Sequence, residues 1–355
     1  MSALNRRIVF LDFLRIFAFL SVFGGHKFAP VLEEWMKDES VGGFWKILGH
    51  GVMPLINAGG AGVVVFFLVS GYIITHVLKA EAPGSFLLRR VFRIYPLYVF
   101  AVLLFHVLAL RAGTAVGAGT LLLQLSLLGD FFGTPYALNG VEWTLRVELL
   151  FYLFMAGCRS VNLLTSEWWK SAAVYTAVVA GCAVAAPLPA VLSAADTWAK
   201  GYITIYGPFL LLGSAWYLFE QKRWSAAGFG GFGVYVVGQY YFLLMRYQEK
   251  WVGAHFALIG VGLFAAAWAL RGRLRVGALV LLFSDLTYGV YLFHNWLFDD
   301  FRLWLAKRAW PLGPPGFQAF VVLLVFCYIM SRTVERGGIR LGRWVQARGR
   351  AGGKG

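Results

Sequence analysis

The first apolar stretch of the chain carries three ionisable side chains, Asp12, Arg15 and His26. Asp12 and Arg15 are three residues apart, neighbouring positions on a helix, and can form an ion pair. Arg15 and His26 are eleven residues apart, which is about three helical turns and ~16 Å along one face. Imidazole is the side chain whose ordinary pKa lies nearest neutrality, so a histidine at this place can exchange protons. It can equally be a satisfied residue near a helix end, and the aspartate–arginine pair can be an anchor; the residues alone leave both open.

Three further segments carry such residues. Glu142-Trp143-Thr144-Leu145-Arg146-Val147-Glu148 opens an apolar run, and Glu148 is followed by Leu149, Leu150, Phe151 and Tyr152. A carboxylate there needs a cation or a polar cavity, since burying it unpaired is costly. Ser284, Tyr288, Tyr291 and Asn295 step by four, three and four residues and make one polar stripe on a helix, with His294 beside it. The stripe suits interhelical hydrogen bonding or the wall of a channel. Arg89, Arg90 and Arg93 head an apolar run, and Arg90 and Arg93 are one turn apart, a spacing that fits phosphate recognition as well as headgroup anchoring. Gly59-Gly60-Ala61-Gly62 is no phosphate loop, because no GK[ST] follows, and its small residues predict close helix packing.

The elements that must hold these residues follow from composition. The 355 residues are 59% hydrophobic and only 14% charged, whereas soluble domains are about 25% charged. Lipid is therefore the expected solvent for much of the exterior. The fold class is all-α: a polytopic membrane helical bundle of about ten transmembrane helices, since each crossing takes about 20 apolar residues. The spans are expected at 8–28, 59–79, 94–112, 142–158, 172–194, 202–219, 229–246, 254–270, 277–298 and 316–333. Segment 119–132 is too short to cross and reads as interfacial or re-entrant. The basic, apolar N-terminus lacks a small-residue cleavage site and carries Asp12 and Arg15, so it reads as a retained first span.

The net charge is +15. Its excess flanks the apolar runs, which points to a lipid bilayer and away from nucleic acid. With the N-terminus inside, lysines and arginines gather on the inner segments, as at Arg6, Arg7, Arg89, Arg90, Arg93, Arg271, Arg273 and Arg275. The first outer loop holds Glu33, Glu34, Asp38 and Glu39. Both termini are thus expected in the cytoplasm. Residues 1–340 read as one membrane domain and 341–355 as a basic tail able to rest on anionic lipid. Cys158, Cys182 and Cys327 have neither disulfide nor metal-ligand spacing, and no metal site is expected.

Five segments in order resemble the acyltransferase family 3 membrane proteins, the bacterial transmembrane O-acyltransferases. They are LDFLRIFAFLSVFGGH at 11–26, GVVVFFLVSGY at 62–72, RRVFRIYPLY at 89–98, WTLRVELLFY at 143–152 and SDLTYGVYLFH at 284–294; SRTVER at 331–336 is similar to the family's last helix. Residues 160–275 carry no such motif. Many relatives have an extracytoplasmic hydrolase-like domain, for which a chain of this length has no room.

The resemblance implies transfer of an acyl group, usually acetyl, from a cytoplasmic coenzyme A thioester to a hydroxyl of a cell-surface polysaccharide or its lipid-linked precursor, at the bacterial inner membrane. No permanently bound cofactor is implied; acyl-CoA, with acetyl-CoA foremost, is the donor substrate. The family's arginine–histidine pairing falls on Arg15 and His26, its arginine pair on Arg90 and Arg93, and its tryptophan-to-glutamate motif on Trp143 and Glu148. A sugar hydroxyl needs a base with a pKa near 7, and His26 could take its proton or first accept the acyl group. Glu148 could orient the imidazole, as carboxylates do in triads. Arg15, Arg89, Arg90 and Arg93 would hold the donor's phosphates. Asp12, Trp143, Ser284, Tyr288, Tyr291 and His294 are the candidate lining of a substrate channel. Acylation of a small secondary metabolite, and a transporter or flippase without chemistry, are the competing readings.

Overall fold

The computed structural model describes residues 7–186, 197–308 and 313–352, and its regular elements there are all helical. In chain order they are α1 (Val9–Lys27), α2 (Ala29–Lys37), α3 (Gly43–Ile56), α4 (Gly60–Leu78), α5 (Pro83–Arg111), α6 (Ala118–Leu125), α7 (Trp143–Ser160) and α8 (Trp168–Ala185). There follow α9 (Thr197–Tyr206), α10 (Pro208–Glu220), α11 (Ala226–Tyr247), α12 (Phe256–Ala269), α13 (Ala278–Phe293), α14 (Leu297–Ala306), α15 (Pro315–Met330) and α16 (Arg336–Gly352).

Among the described residues six stretches are long and apolar enough to cross a bilayer: Val9–Lys27, Gly43–Leu78, Pro83–Arg111, Tyr202–Glu220, Glu249–Ala269 and Pro315–Arg348. The other four expected spans coincide with α7, α8, α11 and α13, which are shorter or carry more polar side chains. The expected span 172–194 lies in α8 as far as Ala185, and its Pro187 and Pro189 are outside the described residues. This is a multi-pass α-helical membrane protein.

Several boundaries differ from the sequence expectation. The third span begins at Pro83 instead of residue 94, so the arginine run is part of the helix rather than its approach. Proline is favoured in a first turn, where its missing N–H costs nothing. At 29 residues, α5 is about 43 Å long, well beyond a hydrocarbon layer of about 30 Å. The expected outer loop between the first two spans contains α2 and α3. The basic tail is helical to Gly352, reached from α15 through one π-helical turn at Ser331–Glu335.

The chain divides into two compact units. The first comprises Met1–Thr75, Ser166–Pro187 and Gly201–Thr287. Its core is aromatic: Phe10 meets Tyr72 and Phe264 edge-on, and Trp216 lies 4.8 Å from Phe264. α4 and α10 touch backbone to backbone at Gly71 and Gly213, where any Cβ would strike the Leu210 and Leu68 carbonyls. A hydroxyl chain links three helices: Thr75 donates to Ser214 at 2.6 Å, and Tyr175 hydrogen-bonds the same oxygen at 2.7 Å. In an apolar bundle, small residues and such hydrogen bonds supply the cohesion that oily side chains cannot.

The second unit comprises His76–Thr165, Leu188–Lys200 and Tyr288–Gly355. α5 is its spine. α7 packs on one side of it, and α16 lies along it through Gly338 and Gly342 against Phe92 and Pro96. α14 packs against α15.

Candidate active site

In the first unit Asp12 is buried, with 2% of its surface exposed. Ser284 Oγ donates to its Oδ1 at 2.6 Å. Arg15 Nη1 lies 3.6 Å from that oxygen and Arg7 Nη1 3.7 Å. Arg7 also pairs with Asp285. The expected Asp12–Arg15 pair therefore forms, and two of the predicted channel residues, Asp12 and Ser284, meet directly. Arg7 as a further partner was not legible: a basic residue ahead of a first span reads as topology.

His26 stands exposed in the last turn of α1. Gly25 and Ser21, earlier on the same helix, explain how it is held. A Cβ on Gly25 would collide with the Ile56 carbonyl and the Gly59 amide, so α1 touches the backbone between α3 and α4. That link is kinked, with Ala58 at φ 48° and Gly59 at φ 70°, a region favouring glycine. Ser21 fastens the same joint: its hydroxyl donates to the Leu55 carbonyl at 2.5 Å and accepts the Gly62 amide at 3.1 Å. The close packing expected at residues 59–62 is thus the seat of the histidine-bearing turn.

In the second unit the three arginines differ. Arg89 is exposed and pairs with Glu81 at 3.3 Å. Arg93 is exposed. Arg90 turns inward, its guanidinium 5.2 Å from the Phe86 ring and 5.9 Å from that of Tyr152. Arg90 and Arg93 stand one turn apart on α5 and within electrostatic reach of each other, but differ in exposure.

Glu148 lies inside α7 with 6% exposure. Tyr152, one turn on, hydrogen-bonds it, and Arg90 and Tyr288 are within its electrostatic reach. Trp143, the first residue of α7, is half-buried. Of the α13 stripe, Tyr288 donates to the Ile94 carbonyl at 2.8 Å, and Tyr291 donates to the Val141 carbonyl at 3.0 Å and accepts from Thr144 at 2.7 Å. The helix ends at Phe293, so Asn295 is off the stripe and instead donates to the Asn139 carbonyl at 2.9 Å. His294 is 1% exposed, and its Nδ1 donates to the Tyr291 carbonyl at 2.6 Å.

The helices and their buried carboxylates, arginines and histidines define a multi-pass membrane protein with ionisable groups in its interior. The family described as "Acyltransferase domain" matches residues 8–332, and the chain belongs to it. It is similar to the Exopolysaccharide production protein ExoZ of Rhizobium meliloti (strain 1021), 28% identical over 80% of this chain and 91% of that one. It is 28% identical to Acyltransferase MdmB of Streptomyces mycarofaciens over 52% of this chain and 48% of that one. Nodulation protein 10 of Rhizobium leguminosarum bv. viciae is 27% identical over 48% of each chain. The matched region thus spans about half the length of the last two. No solved structure matches.

Proposed function

We propose that this protein transfers an acyl group, acetyl in the first instance, from cytoplasmic acyl-CoA to a hydroxyl of a cell-surface polysaccharide or its lipid-linked precursor. The observation that carries the reading is family membership over residues 8–332 together with a relative, matched over 91% of its length, whose name places it in exopolysaccharide production. The protein sits in the bacterial inner membrane with both termini cytoplasmic, a reading supported by the lysine and arginine bias. His26 serves as the base: it is exposed, whereas His294 is sealed and its Nδ1 is committed to a carbonyl. It removes the hydroxyl proton as the oxygen attacks the thioester, or carries the acyl group between donor and acceptor; coenzyme A thiol leaves in either case. Arg93 and Arg89, at the exposed surface of α5, meet the donor's phosphates. The test is mass analysis of surface glycans from cells with and without the gene, followed by transfer from labelled acetyl-CoA by purified protein. Acylation that is unchanged without the gene overturns the proposal, and a labelled small metabolite in place of glycan redirects it.

A further inference from the structure

The chain between α5 and α7 does not merely cap the bundle. Tyr98 is fifteen residues into α5, about 22 Å along it. Its hydroxyl donates to the Gln124 carbonyl at 2.6 Å, and Tyr95 donates to the Ser126 carbonyl at 3.2 Å. The C-terminal end of α6 therefore sits against the middle of α5, so the segment dips into the bundle and returns to start α7. Its backbone is irregular, with Leu127, Gly133, Asn139 and Gly140 all at positive φ. Irregular backbone at membrane depth is tolerated only where protein buries it or where it lines a hydrated cavity.

At the foot of this re-entrant loop is a recess lined in part by Tyr98, Gln124, Tyr136, Glu142 and Arg146, with room for a single water-sized group. Glu142 is 5% exposed. Its Oε1 accepts the amides of Ala137 at 2.5 Å and Leu138 at 3.3 Å, and the amides of Gly140 and of Glu142 itself also point at the carboxylate, while its Oε2 is buried without a well-formed hydrogen bond among the described residues. A carboxylate oxygen in such a place calls for a donor from outside the chain. Arg146, one turn along α7 and also lining the recess, brings a positive charge to the same wall, which favours a neutral donor over a cation. Tyr98 and Tyr136 line the same recess, whose size admits one hydroxyl of a larger molecule and not its ring.

We propose that this recess is the acceptor subsite: Glu142 Oε2 accepts a hydrogen bond from one hydroxyl of a polyhydroxylated, sugar-type acceptor, and water takes that place when the acceptor is absent. The inference rests on the acyltransferase reading above and names a residue that reading does not use. Glu142→Gln is the discriminating variant, because the amide oxygen keeps both backbone contacts while the other oxygen becomes a donor. Purified wild type and variant are assayed with labelled acetyl-CoA and glycan extracted from cells lacking the gene. The expected result is an apparent KM for glycan raised about tenfold or more, with the KM for acetyl-CoA and the melting temperature unchanged. Tyr136→Phe, which removes the hydroxyl that accepts from Arg146 at 3.3 Å, raises the glycan KM by a smaller factor. An unchanged glycan KM in Glu142→Gln means the recess holds structural water only, and an equal rise in both KM values assigns it a packing role; either overturns the subsite. If wild type itself transfers nothing to glycan, the acyltransferase proposal has failed first, and this inference falls with it.

Discussion

Ser284 donates a 2.6 Å hydrogen bond to the buried carboxylate of Asp12, joining residues 272 positions apart in sequence. Bonds to buried charged groups contribute about 1.5–3 kcal/mol, and removing one partner leaves the other underserved. Ser284→Ala is expected to lower the melting temperature of the purified protein in detergent. Asp285→Asn, which touches only the half-exposed Arg7–Asp285 pair, should cost about 1 kcal/mol or less. Equal melting temperatures for Ser284→Ala and wild type would show that Arg15 and Arg7 suffice for Asp12.

Gly25 gives a sharper steric test. A methyl group there meets the Ile56 carbonyl and the Gly59 amide, which are backbone atoms that cannot rotate away. Gly25→Ala is expected to destabilise by about 1–3 kcal/mol, the usual cost of overpacking, and to lower product formation with it by displacing the turn that bears His26. Gly51→Ala, where nothing lies within 4 Å, is the control and should match wild type. A Gly25→Ala protein with normal stability and activity would mean that α1 does not need this approach.

The three arginines of α5 should separate by assay. Arg93→Ala removes an exposed cation and is expected to raise the acetyl-CoA KM without changing the melting temperature. Arg90→Ala empties the space between Phe86 and Tyr152 and is expected to lower the melting temperature, because arginine stacked on desolvated rings contributes about 2 kcal/mol. A variant Arg93→Ala with unchanged donor dependence would make Arg93 a lipid anchor.

Which parts of this architecture were legible follows from the physics of each segment. α1 and α4 are long apolar runs, and their helix ends fall within a residue or two of expectation. The Asp12–Arg15 pair was readable because both partners sit on one helix. Asp12–Ser284 and Arg7–Asp285 were not, since period and propensity say nothing about contacts between distant segments. α3 was hidden for another reason. Gly42, Gly43, Gly49, Gly51 and Pro54 read as loop, yet glycine and proline are tolerated in helices set against neighbours in an apolar medium. Segment 119–132 was legible as too short to cross, interfacial or re-entrant, but the burial of Glu142 was not: a carboxylate at the start of a helix looks like a favourable first-turn charge, and only the fold shows one of its oxygens sealed without a well-formed hydrogen bond.

The base is tested by comparing His26→Ala, His294→Ala and Glu148→Gln at matched membrane levels, measuring acylated product. The structure ranks them. His26 is exposed at the end of α1 on a turn whose backbone is wedged by Gly25 and tied by Ser21. Replacing it should leave the fold intact and remove the proton acceptor, and losing a general base typically costs 10²–10⁴-fold. His294 is 1% exposed, with Nδ1 held by the Tyr291 carbonyl. Its loss should show as a lower melting temperature, with product falling only in proportion to the folded fraction. Glu148 is buried beside Tyr152, and Glu148→Gln keeps its shape while removing its charge, so a product loss with unchanged melting temperature marks an electrostatic role. Product retained by His26→Ala but lost by His294→Ala would transfer the base to α13's end. Product retained by all three would remove the chemistry from these residues altogether.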